Sequence, residues 1–74
     1  YDGRIILTER ENALLRLLAV HPERTFSRED ILREVFSPDD TPGAVDTYVH
    51  YLRKKTDPAI VQTVRGRGYR LGLL

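Results

Sequence analysis

The chain has 74 residues, enough for one domain that buries only about 60 % of its unfolded surface, so its core is expected to be thin. It contains no cysteine, which excludes disulfides and thiolate metal sites and fits a reducing compartment such as the cytosol, and no apolar run reaches the roughly 18 residues of a membrane span. A formal net charge of +1 argues for no partner by itself.

The opening Tyr1-Asp2-Gly3-Arg4 lacks an initiating Met and reads as the interior of a longer protein. Ile5-Ile6-Leu7 follows a turn signal and is expected to form a brief strand. Thr8-Glu9-Arg10-Glu11 is a capping box: the threonine oxygen accepts from the Glu11 amide and the Glu11 side chain reaches back to the Thr8 amide. The first helix therefore starts there, with Leu14, Leu17, Leu18 and His21 at helical spacing, Leu15 alongside, and Pro22 ending the run. Thr25-Phe26 is long enough only for a bridging strand. Ser27, with Glu29 and Asp30 behind it, opens a second helix whose apolar stripe is Ile31, Leu32, Val35 and Phe36, closed by Ser37-Pro38. A loop follows, and Thr41 is expected to cap a third helix with Pro42 at its first position. That helix packs through Val45, Val49 and Leu52, carries Tyr48 on its edge and ends near Lys55 or Thr56. After Asp57-Pro58, the β-branched stretch Ile60 to Val64 predicts a strand. Gly66-Arg67-Gly68 predicts a tight turn and Tyr69-Arg70-Leu71 the return strand of a hairpin.

Charge is unevenly placed along this order. Tyr1 to Pro42 holds six arginines against nine acids, a net of −3, whereas from Gly43 onward six basic residues face two acids, a net of +4. Such asymmetry suggests an anionic partner for the C-terminal part, although ordinary surface scatter gives the same pattern. On the third helix Thr47, His50, Tyr51 and Lys54 fall at i, i+3, i+4 and i+7, opposite the packing residues. This mixture of hydroxyl, imidazole, phenol and amine can bond to base edges in a major groove, and it is also what a solvated helix face carries. Arg65 and Arg67 on a glycine turn add two guanidinium groups of the kind that enter a narrow minor groove, the glycines letting the backbone approach a partner closely.

Enzymatic and metal chemistry find little support. The histidines, His21 and His50, stand far apart without a paired carboxylate motif. Gly66 and Gly68 begin a dinucleotide fingerprint, but its third glycine would fall at Leu71, and Asp39-Asp40 is a carboxylate pair in a loop with nothing apolar beside it to raise a pKa. No catalytic role, cofactor, metal or small-molecule substrate is expected.

Val45-Asp46-Thr47-Tyr48-Val49-His50-Tyr51-Leu52-Arg53-Lys54-Lys55 followed by Val61-Gln62-Thr63-Val64-Arg65-Gly66-Arg67-Gly68-Tyr69-Arg70-Leu71 resembles the C-terminal DNA-binding effector domain of OmpR/PhoB-type response regulators. Leu7-Thr8 with Glu11 resembles the start of that family's first helix, so the likeness spans nearly all of residues 1–74. It implies an α+β winged helix-turn-helix: three helices, a C-terminal β-hairpin wing and a minimal N-terminal strand. It implies sequence-selective binding of double-stranded DNA within a cytoplasmic two-component regulator, with a receiver domain elsewhere on the full-length chain. By position, Arg65 resembles the arginine of the wing that enters the minor groove, Thr63 and Tyr69 resemble residues near the phosphate backbone, and Arg53 resembles a phosphate-binding arginine. His50 and Tyr51 occupy sequence-reading positions, and the loop from Ser37 to Pro42 resembles the segment that faces RNA polymerase in activators; a merely solvated loop is the alternative. Gly43, Ala44 and Tyr48 depart from the family's usual Arg, Thr and His, although Tyr48 can still donate through its hydroxyl. These departures keep open a competing reading, a winged helix turned protein-interaction module.

Overall fold

In the computed structural model, which describes residues 6–72, the first helix starts where its capping box puts it. The Glu11 amide donates to Thr8 Oγ1 at 3.2 Å and the Thr8 amide donates to Glu11 Oε1 at 2.9 Å, and helix α1 runs Glu9–Val20. Leu14 and Leu18 are fully buried, with Leu15 and Leu17 packed at their flanks. His21 does not extend this apolar face as its spacing predicted. It is the C-cap, exposed, with its ring 6.0 Å from that of Phe26, because the chain ahead of Pro22 has already left helical geometry.

Helix α2, Arg28–Val35, begins with a second capping box in which the Asp30 amide donates to Ser27 Oγ at 3.0 Å and the Ser27 amide donates back to Asp30 Oδ2 at 3.3 Å. Its end is sealed by Phe36, whose amide donates to the Leu32 carbonyl while its ring enters the core. Helix α3, Pro42–Lys55, differs at its start. Thr41 occupies the N-cap position in extended backbone but makes no capping bond, so the hydroxyl does not do what the sequence led one to expect. Pro42 compensates, since its fixed φ suits the first helical position and it has no amide to leave unpaired.

A single 3-10 turn, Pro58–Ile60, connects α3 to the hairpin; the Asp57 carboxylate caps it by accepting from the Ala59 amide at 2.8 Å. Ile60, expected at the head of the strand, lies in this turn and buries its side chain there. Strands β1, Val61–Val64, and β2, Gly68–Leu71, pair antiparallel with Val61 opposite Leu71 and Thr63 opposite Tyr69. Phe26 supplies the bridging segment, exchanging both backbone hydrogen bonds with Tyr69 at 2.8 and 2.9 Å and so tying the sheet to the α1–α2 connection. Of the expected N-terminal strand, Ile5 lies outside the described residues, and Ile6 and Leu7 are not in a strand. Ile6 is exposed and Leu7 packs against the core.

Leu14, Leu18, Phe26, Ile31, Val45, Val49, Leu52 and Val61 fill the centre, and each such side chain stabilises the fold by about 1.5–3 kcal/mol through burial. None of the helices is long and apolar enough to cross a membrane, among the described residues.

Candidate nucleic-acid interface

Helix α3 has three functional edges, because successive residues are rotated by about 100° around its axis. Val45, Val49 and Leu52 point into the core. Asp46 and Arg53, two turns apart on a neighbouring stripe, hold the hairpin. The remaining stripe, Thr47, His50, Tyr51 and Lys54, is exposed along its whole length. The hairpin thus flanks one side of an open helix face.

Two polar ties fix that arrangement. Arg53 donates from Nε and Nη2 to the Val61 carbonyl at 3.2 and 2.8 Å, and from Nη2 to Thr63 Oγ1 at 2.9 Å. This guanidinium also stands 5.8 Å from the ring centre of Tyr69. Arg53 and Thr63, both expected near phosphate, are therefore brought together and bonded to each other. At the other end, Tyr69 donates its hydroxyl hydrogen to Asp46 Oδ1 at 2.5 Å, and Arg28 Nε donates to the same oxygen at 3.1 Å. Tyr69 is largely buried. Burial pushes its phenol pKa up, and the Asp46 carboxylate, which accepts its hydrogen bond, raises it further. Asp46 therefore joins α2, α3 and β2 at one atom. Sequence reasoning counted it only as a charge; the available signal was an acid in an otherwise basic segment, seven residues before Arg53.

The turn between the strands carries Arg65, Gly66 and Arg67, all exposed, with the Arg67 amide donating to the Val64 carbonyl. Gly66 has φ +72° and open space around it. Gly68 has φ +144°, and a Cβ there would lie 1.9 Å from the Phe26 carbonyl oxygen. The close approach this glycine permits is thus to the protein's own Phe26 backbone, which corrects the expectation that both glycines serve a partner. Between Ser27–Glu29 and Thr63–Tyr69 lies a groove of about 290 Å³, with Arg28 and Arg67 on its walls.

Tyr48 lies half-buried at the edge of the exposed stripe, between Tyr51 and Phe36. Its ring packs edge-on against Phe36, 5.2 Å between centres, and the Arg10 guanidinium lies 5.9 Å from the ring centre.

The pairing of cations differs sharply along the chain. Arg10, Arg24, Arg28 and Arg33 each lie within 4.0 Å of an acid, and Lys55 Nζ is 2.7 Å from Glu11 Oε1. Among the described residues, Arg16 on α1 and Arg53, Lys54, Arg65, Arg67 and Arg70 form no ion pair within that distance. The positive potential that remains for a partner is therefore weighted toward the open edge of α3 and the hairpin tip. Among the described residues no cluster of three metal-ligating side chains occurs.

This geometry has close counterparts. The family described as "Transcriptional regulatory protein, C terminal" matches residues 2–71. The response regulator MprA of Mycobacterium avium (strain 104) is 47% identical over 74 residues, covering 92% of this chain and 32% of that protein, so the chain spans about a third of the length of this relative. Among solved structures, the DNA-binding domain of Bacillus subtilis CssR has a TM-score of 0.82 at 41% identity, covering 96% of this chain and 86% of that one. The AdeR DNA-binding domain, in complex with an intercistronic region, has a TM-score of 0.85 at 26% identity, covering 99% and 82%. With three helices, the hairpin and a family match over nearly its whole length, this chain belongs to the C-terminal domains of transcriptional regulatory proteins and has their winged-helix fold.

Proposed function

We propose that the chain is a binding module that reads double-stranded DNA, with α3 in the major groove and the hairpin as a wing in the adjacent minor groove. The observation that carries this reading is the open stripe Thr47, His50, Tyr51, Lys54 flanked by the unpaired cations Arg65 and Arg67, while the arginines 10, 24, 28 and 33 are paired with acids. Thr47, His50 and Tyr51 of the stripe supply base contacts. Lys54, Arg67 and the hydroxyl of Tyr48 serve phosphates, and Arg65 enters the minor groove. Arg53, Thr63 and Tyr69 act chiefly by holding helix and wing in register, and the two Nη1 hydrogens of Arg53 are left for a phosphate oxygen. That the similar AdeR DNA-binding domain is found in complex with an intercistronic region supports DNA as the partner.

In the full-length protein this domain is the output of a two-component response regulator, joined to a receiver domain in the cytoplasm. The loop Ser37–Pro42 faces RNA polymerase: Asp40 is turned inward to accept from Ser37 and Arg10, while Asp39 is left exposed. The test is fluorescence anisotropy on a duplex obtained by random-site selection. Arg65→Ala should weaken binding by about 1–3 kcal/mol and lower the slope of log K against log salt by roughly one. An affinity and slope both unchanged would remove the wing from the interface.

A further inference from the structure

The chemistry of the α3 stripe says which base feature it selects. Guanine is commonly read by a bidentate Arg or Lys and adenine by a bidentate Asn or Gln. The stripe has no Arg, Asn or Gln, and its one lysine, Lys54, stands at the C-terminal end of the helix and is assigned above to phosphate. The nearest guanidinium, Arg53, is turned to Val61 and Thr63, and Lys55 is engaged by Glu11. Thr47 donates its single hydroxyl hydrogen to the Gly43 carbonyl at 3.1 Å, so a methyl group and acceptor lone pairs are what it has left to offer.

Tyr51 is the large apolar group of this face, 45% exposed. Its ring is held. It meets Tyr48 edge-on with centres 5.8 Å apart and 77° between planes, and lies 6.1 Å from the His50 ring. Tyr48 in turn packs edge-on against buried Phe36, with Arg10 over both rings. Such aromatic contacts are worth about 0.5–1.5 kcal/mol each beyond burial, so a ladder rooted in the core presents one uncharged ring at a fixed place on an otherwise polar face. In the major groove the C5-methyl of thymine is the apolar group that such a ring can cover.

Resting on the DNA-binding reading above, we infer that Tyr51, assisted by the Thr47 methyl, selects thymine in the recognised site through its 5-methyl group. The experiment replaces each thymine of the site-selected duplex singly by deoxyuridine, which removes that methyl and leaves the pairing edge intact, and measures anisotropy with the whole 74-residue chain. At one or two positions affinity should fall about fourfold, the worth of one buried methyl. Tyr51→Phe should keep that preference and Tyr51→Ala should abolish it, with circular dichroism confirming that both variants are folded.

The outcomes separate cleanly. If the unsubstituted duplex binds no better than a random one, the DNA-reading proposal itself fails. If it binds selectively but every deoxyuridine duplex binds equally well, thymine selection alone is wrong. Loss of the preference in Tyr51→Phe would also overturn it, since the phenol hydroxyl would then be the reader.

Discussion

Lys55→Met isolates the one acid of the fold that is fully buried among the described residues. Glu11 is 1% exposed, and its Oε1 accepts from Lys55 Nζ at 2.7 Å as well as from the Thr8 amide. Two unit charges at that separation attract by ~6 kcal/mol at an effective dielectric of about 20, before the cost of taking them out of water is subtracted. Methionine keeps the length of the lysine stem but leaves the carboxylate without its cation. Unpairing a buried charge costs about 3–5 kcal/mol, and the lower end applies because the Lys55 side chain is 39% exposed and water can replace part of the contact. A domain of this size has a total stability of roughly 4–11 kcal/mol, so a loss of about 3 is a large fraction and should lower the melting temperature on the order of 15 °C. The assay is urea unfolding of parent and variant from pH 7 to pH 3. Burial by itself would raise the Glu11 pKa, but the bonds from Lys55 and Thr8 outweigh it and hold the carboxyl below its ordinary 4.5. A folded pKa below the unfolded one means that the parent's stabilisation is complete above that ordinary value and is lost as the pH falls through the folded value. The variant's deficit should therefore be full at pH 7 and shrink as the pH falls below the carboxyl's ordinary value, because protonation removes the buried charge. Glu11→Leu combined with Lys55→Met should recover much of the loss, because no unpaired charge remains. A deficit below about 1 kcal/mol at pH 7, or one of the same size at every pH, would refute this account of the pair.

The two wing glycines should separate in the same assay. Gly66→Ala bears only the left-handed backbone penalty, about 1–2 kcal/mol, since nothing lies within 4 Å of its Cβ; Gly68→Ala also drives a methyl into the Phe26 carbonyl and should cost clearly more and break the bridge to β2. Equal losses would show that the Phe26 approach relaxes freely. Asp46→Asn should bring the Tyr69 phenol pKa back down toward 10, leaving only the part due to burial, as read by ultraviolet titration of the phenolate. An unmoved titration would mean that the carboxylate does not govern the hydroxyl.

Much of the fold was legible in local pattern. Thr8 with Glu11, the leucines of α1, the stripe of α2 and the apolar residues of α3 act across three or four positions, a range within which side-chain spacing and backbone bonding are set by helical geometry alone. The hairpin too was marked by β-branched residues around a glycine turn. The open stripe of α3 was visible for the same reason, as the complement of Val45, Val49 and Leu52.

Tertiary structure decided the rest, because it rests on groups far apart in the chain. Glu11 and Lys55 meet across 44 residues, Tyr69 and Asp46 across 23, and Arg53 turns from phosphate candidate to clamp only because Val61 and Thr63 fold back beside it. Gly68 read in sequence as a point where the backbone could approach a partner, but the Phe26 backbone occupies the space its missing side chain leaves. Periodicity assigns each residue to a face of its own element, but which neighbour covers that face is settled by packing, and with it which cations stay free for a polyanion.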